Sequence, residues 1–136
     1  MLYYNLDISY VLPIFRSKSN LIYFAHIPKT GGSSVENILK KIPGIQMSFH
    51  CSKQDKFTIV SPQHIEYDSF RKAFPDDFFD WQFTIVRNPY DRIVSEYNMK
   101  KEAGVSFAAF VRAALKRYKV YAHTRDNHIR PQSDFF

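Results

Sequence analysis

The chain has a single cysteine, Cys51, in 136 residues. One thiol excludes an internal disulfide framework and any zinc site built from several cysteines. No run of about 18 apolar residues occurs, so a membrane span is not expected. No stretch of lysine and arginine reaches five residues, which weighs against nucleic-acid binding even though the formal net charge is +6. There is no internal repeat and no low-complexity tract. Glycine is scarce at four residues, and two of the four are adjacent, Gly31-Gly32.

Aromatics are plentiful. Thirteen Phe and nine Tyr raise the aromatic share to 17%, and rings of that size let a short chain build a core. Apolar residues at 45% and charged residues at 24% are a globular composition. The length suits one domain over residues 1–136. Met1 to Phe15 is apolar but interrupted by Asn5, Asp7, Ser9 and Pro13. It has no basic leader and no small-residue cleavage site, so it reads as mature sequence and the expected location is cytoplasmic. The basic excess suits an anionic partner such as a nucleotide or an acidic sugar.

Leu21 to Ala25 is a short apolar run with the look of a buried strand. Gly31-Gly32-Ser33-Ser34 follows, then Val35, Ile38, Leu39 and Ile42 at helical spacing, stopped by Pro43-Gly44. Phe57 to Val60 is a second strand candidate, and Glu66 to Phe74 a short helix closed by Pro75. Phe83 to Val86 is a third strand. It runs into Asn88-Pro89, an N-cap followed by proline at the first helical position, and the helix beyond turns Ile93, Val94 and Tyr97 inward. Ser106 caps a last helix with Phe107, Phe110, Val111, Ala114, Leu115 and Tyr118 on one face. Strands alternating with helices predict an α/β fold with a central parallel sheet. Ligands in such sheets bind where strands end and helices begin.

Two motifs sit at those junctions. His26-Ile27-Pro28-Lys29-Thr30-Gly31-Gly32-Ser33-Ser34 offers flexible glycines, unsatisfied helix-start N–H groups, hydroxyls on Thr30, Ser33 and Ser34, and the charge of Lys29: phosphate-binding chemistry in the right context. It is not the standard P-loop, because the lysine precedes the glycines. A plain capped turn is the bland alternative. Phe83 to Tyr97 repeats the strand-to-helix layout with Arg87 at the strand end and Ser95 about two turns into the helix. Arg87 and Ser95 could clasp a phosphate, or Arg87 could pair with Asp91 and leave Ser95 merely exposed.

Together these motifs resemble the signature pair of sulfotransferases that use 3′-phosphoadenosine 5′-phosphosulfate (PAPS). Pro28 to Ser34 resembles the 5′-phosphosulfate loop, and Arg87 to Arg92 with Ser95 resembles the 3′-phosphate element. The likeness is nearest to the carbohydrate-sulfating branch, the heparan and chondroitin type. His128-Ile129-Arg130-Pro131-Gln132 is similar to a short His-x-x-Pro-Gln element of some members. The resemblance implies a P-loop-like three-layer sandwich with a central parallel sheet, in a compact or shortened version, since relatives are usually longer. It implies sulfuryl transfer from PAPS to a hydroxyl of a carbohydrate or similar polar acceptor, with 3′-phosphoadenosine 5′-phosphate as product and no metal. On it, Lys29 faces the sulfate and the leaving oxygen. Thr30, Gly31, Gly32, Ser33 and Ser34 hold the 5′-phosphate, and Arg87 and Ser95 hold the 3′-phosphate.

An imidazole is the natural base for a hydroxyl proton. The position of His64 between the motifs matches the catalytic histidine of heparan-type relatives, so His64 is the expected base, with His128 as runner-up and Glu66 as a group that could orient His64. His26 is expected to shape the loop. His128 and Arg71 are candidates for contacting the acceptor. Three readings stay open: the transferase, a shortened relative that binds the nucleotide without turnover, and a P-loop-like phosphotransferase. A second copy of the chain completing the acceptor cleft is also open.

Overall fold

The computed structural model describes residues 13–49, 60–99 and 103–136. Its centre is a sheet of β1 (Ile14–Ser17), β2 (Asn20–Ala25), β3 (Ile45–Phe49) and β4 (Trp81–Thr84), in the order β3-β1-β2-β4. β1 and β2 form a hairpin with Ile14 opposite Tyr23 and Ser17 opposite Asn20. Lys18 in its two-residue turn takes a φ of 53°, the left-handed conformation that a tight hairpin turn needs. β3 adds to β1 in antiparallel sense, and β4 adds to β2 in parallel, with Ile22 opposite Trp81 and Ala25 opposite Thr84.

The sheet is therefore mixed, which corrects the expectation of a central parallel sheet. The hairpin explains the difference: two strands joined by two residues must run antiparallel, and β1 is too short and too polar at Arg16-Ser17 to stand out as a strand. β4 lies two residues earlier than Phe83–Val86, because its start is clamped to β2. The Asp80 N–H donates to the Leu21 carbonyl at 3.0 Å, and the Leu21 N–H donates to the Asp80 carboxylate at 2.7 Å. The expected strand at 57–60 lies outside the described residues except for Val60, which is in a bend.

Four helices follow the expected order: α1 (Gly32–Leu39), α2 (Tyr67–Ala73), α3 (Pro89–Met99) and α4 (Phe107–Val120). α2 covers the sheet face that carries Ile14, Tyr23 and Ala25. Tyr23 stacks on Phe70 with centroids 4.0 Å apart, and Phe74 and Phe79 close the aromatic cluster. Phe15 and Phe24, which alternate with these residues along the strands, are fully buried on the other face. α3 meets α4 through Tyr97, whose ring lies 5.4 Å from both Phe107 and Phe110. Ser106 caps α4 as expected, accepting from the Ala109 N–H at 3.3 Å. Among the described residues no helix is long and apolar enough to cross a membrane.

The inner faces of α1 and α3 depart from the apolar pattern. α1 buries Gly32 and Glu36 and leaves Ile38 62% exposed; α3 buries Arg92 and Glu96 and leaves Val94 exposed. Both helices turn their charged residues toward histidines and loop carbonyls.

Candidate functional site

β2 and β4 run parallel side by side, so both deliver their C-terminal ends to the same end of the sheet. The Thr84 hydroxyl donates to the Ala25 carbonyl at 2.7 Å and fastens those ends together. Beyond them arginines tie the loops. Arg92 is buried; its Nε donates to the Pro28 carbonyl at 2.8 Å and its Nη1 to the Arg130 carbonyl at 2.7 Å. Arg87 Nη1 donates to the Lys29 carbonyl at 3.3 Å.

The first loop reaches α1 through two left-handed residues, Lys29 at φ 68° and Gly31 at φ 100°. The Gly31 carbonyl accepts from the N–H groups of Ser34 and Val35. The N–H groups ahead of those have no intrahelical acceptor, as at any helix start. Gly32 packs directly on His26: a Cβ there would lie 2.2 Å from the imidazole. The second loop starts α3 with the Asn88 side chain accepting from the Tyr90 N–H at 2.9 Å, the capping role expected of it.

Between the loops is a cavity of about 420 Å³. Its walls include Lys29, Gly31, Gly32, Ser33 and Ser34 from the first motif and Arg87 and Ser95 from the second. His64, Asp126 and His128 complete it. The Lys29 ammonium reaches across to the Met99 sulfur at 3.0 Å. Among the residues expected to bind cofactor, Thr30 differs: it is buried, and its hydroxyl donates to the Ile27 carbonyl at 2.9 Å, bracing the loop.

Beside the cavity three imidazoles stack edge to face. His64 lies 5.1 Å from His26 and 5.0 Å from His128, centroid to centroid. Each offers Nδ1 to a carboxylate: His26 to Glu36 at 2.6 Å, His64 to Asp126 at 2.8 Å, His128 to Glu96 at 2.6 Å. Burial lowers His64 to about 4, against the raising effect of Asp126, and His128 and His26 add to the lowering. Burial raises Asp126, but hydrogen bonds from His64 and from Ser61 outweigh it and hold the carboxyl at about 2. Burial likewise opposes ionisation of Glu96, yet its hydrogen bond from His128 and the nearby cations keep it below the ordinary carboxylate range.

A family model described as the sulfotransferase family matches residues 13–136. The chain belongs to the sulfotransferase family. No curated protein matches the chain, and no solved structure does.

In this member of the sulfotransferase family the two motifs, His64 and His128 line one cleft. Arg71 does not line that cavity: it is exposed on α2, paired with Asp76 at 2.5 Å, with its guanidinium over the Tyr67 ring. The Glu66 carboxylate accepts from the Ser69 hydroxyl and from the Asn127 amide, while the His64 ring is bonded to Asp126. His26 shapes the loop, as expected, by filling the space under Gly32.

Several residues of the site went unread in the sequence. Asp126, Glu96 and Glu36 act through tertiary contacts, and so does Gln132, which was read only as the end of a motif. Glu36 and Glu96 lie on helices next to the motifs, and an acidic residue on a helix reads as solvated until its partner is known. The one available signal for Gln132 was the His-x-x-Pro-Gln element. His64, Asp126 and His128 also bring ligand atoms within 4.8 Å of one another, so this trio is where a metal ion could be held, in competition with the carboxylate contacts of both rings.

Proposed function

We propose that this sulfotransferase carries a sulfuryl group from PAPS to a hydroxyl of a carbohydrate or similar polar acceptor. The observation that carries the reading is the convergence of Lys29 and Arg87, 58 residues apart, on one cavity that also holds His64. The wall chemistry fits a cofactor anionic at both ends. The helix-start N–H groups, Ser33, Ser34 and Lys29 supply donors and positive charge on one side, and Arg87 and Ser95 supply them on the other. The volume is that of an ordinary small-molecule site. The P-loop-like three-layer sandwich is part of the proposal, supported by the parallel pair β2 and β4, each running into a loop and a helix.

PAPS, when bound, supplies the sulfuryl group. Lys29, the N–H groups from Thr30 to Ser33 and the Ser34 hydroxyl would hold its 5′ end, and Arg87 and Ser95 would hold the 3′-phosphate. Lys29 offsets the negative charge that grows at the 5′-phosphate, the preorganised electrostatic contribution that dominates group transfer of this kind. His64 takes the proton of the acceptor hydroxyl; its lowered pKa leaves the imidazole unprotonated well below neutrality, and the Asp126 carboxylate beside it favours the protonated product. The carbohydrate acceptor rests on the likeness of His26–Ser34 to the loop of carbohydrate-sulfating enzymes.

Differential scanning with adenosine 3′,5′-bisphosphate and with ATP plus Mg²⁺ tests the cofactor. The bisphosphate should raise Tm clearly more than ATP does; equal or absent shifts would count against PAPS. Labelled-sulfate transfer to a panel of glycans then separates an enzyme from a nucleotide-binding relative without turnover.

A further inference from the structure

Arg125, Asp126 and Asn127 are consecutive and all left-handed, with φ of 54°, 56° and 62°. None is glycine, and a Cβ in this region crowds the following carbonyl, so three in a row occur only where surrounding contacts impose them. Those contacts are specific. Asn127 is fully buried, and its Nδ2 donates to the His64 main-chain carbonyl at 2.8 Å and to Glu66 Oε2 at 3.3 Å. Asp126 Oδ1 accepts from the Ser61 N–H at 2.5 Å. Its Oδ2 accepts from the Ser61 hydroxyl at 2.6 Å and meets His64 Nδ1 at 2.8 Å. The turn thus grips the segment Ser61–Glu66 by main chain and side chain at once. The gripped residue is the imidazole in the cleft.

We propose that the turn 125–127 is a clamp that fixes His64 for proton abstraction, with Asp126 as its positioning residue. The inference rests on the reading of His64 as base. An ionised carboxylate has only acceptor atoms. Facing Asp126, His64 Nδ1 must carry the ring proton, which leaves the lone pair on Nε2. The step would then balance: the acceptor O–H bond breaks, its electron pair stays on the oxygen that bonds to sulfur, the bond from sulfur to the 5′-phosphate oxygen breaks with its electron pair leaving on that oxygen of adenosine 3′,5′-bisphosphate, and the proton forms a new N–H bond at Nε2. The resulting imidazolium has Asp126 beside it as counter-charge. Ser61 holds both carboxylate oxygens, by its N–H and its hydroxyl, and that hydroxyl also lies 3.1 Å from His64 Nδ1, so Asp126 stays fixed on the ring when His64 is neutral.

The test combines ring tautomers with kinetics. Long-range ¹H–¹⁵N spectra of the wild type should show His64 protonated at Nδ1 and bare at Nε2; a wild-type His64 protonated at Nε2 would overturn the clamp without any variant. In Asp126→Asn the amide can present its NH₂ to Nδ1, and the tautomer should switch. With PAPS and the panel glycan that the wild type sulfates best, kcat should fall roughly 10²-fold, while KM for PAPS stays within about twofold. Asp126→Glu should recover part of kcat. If Asp126→Asn keeps wild-type kcat while His64→Ala abolishes transfer, the clamp is wrong and the base reading survives. If His64→Ala keeps full turnover, the base reading itself fails.

Discussion

The side chain of Gln132 pairs with the main chain of Arg87 the way one strand residue pairs with another. Its Oε1 accepts from the Arg87 N–H at 2.9 Å, and its Nε2 donates to the Arg87 carbonyl at 2.7 Å. Ile85 and Val86 have already left the sheet, so this amide replaces the ladder that β4 no longer provides and fixes the residue expected to grip the 3′-phosphate. Gln132→Ala removes both bonds, and each is worth about 1 kcal/mol net. KM for PAPS should therefore rise by up to about 30-fold, with kcat changed less than about twofold. Steady-state kinetics with varied PAPS would check this, and an unchanged KM would show that Arg87 needs no such support.

Lys29 and Arg87 should fail in different ways. Lys29→Ala removes charge where it develops during transfer, so kcat should drop about 10²–10³-fold. Arg87→Ala should mainly weaken binding of adenosine 3′,5′-bisphosphate, by roughly 10–100-fold in calorimetric titration. Full turnover in the Lys29 variant would remove it from the leaving-group role.

Gly32 and His26 occupy one space. Alanine at 32 would place its Cβ 2.2 Å from a rigid ring that Glu36 holds in position. Gly32→Ala should cost about 1–3 kcal/mol of stability. That cost should shrink when His26→Ala is added, because the two sites are in contact. Denaturation of the four members of this cycle measures it; strictly additive effects would mean that the loop yields elsewhere.

The pH dependence of stability follows from the buried imidazole. Its ordinary value is 6.5 and its folded value about 4, so between these limits the unfolded chain binds the extra proton. The groups facing the ring act in both directions: Asp126 favours the charged form, and His26 and His128 oppose it. Stability should be level above about pH 6.5 and fall as pH drops toward 4, by on the order of a few kcal/mol. Asp126, lowered from 3.8 to about 2, extends the loss below pH 4. Urea titrations across pH should show this, and His64→Gln should flatten the part between 4 and 6.5. A wild-type curve already level there would contradict the burial of His64.

The two loops that line the cavity were legible in the sequence because their chemistry is local. Lys29 to Ser34 is a contiguous loop at a helix start, and a turn of that composition exposes the same N–H groups wherever it folds. Arg87 and Ser95 sit at a fixed helical distance for the same reason. The convergence of the two loops, though, depends on β2 and β4 being parallel neighbours, which is a matter of sheet pairing. The mixed sheet was hidden because β1 and β3 are short and gain stability from cross-strand partners rather than from their own pattern. The carboxylates escaped for a related reason. Asp126 lies 62 residues beyond His64, and Glu96 is one helix position past Ser95 with its partner 32 residues away. A buried charge is tolerable only with its partner in place, and only the folded chain supplies that partner. Sequence alone determined which hydroxyls, N–H groups and cations this protein brings to its two strand-to-helix loops. The tertiary structure decided which imidazole they surround and which carboxylate holds it, because hydrogen bonds over such separations follow from packing and leave no periodic trace.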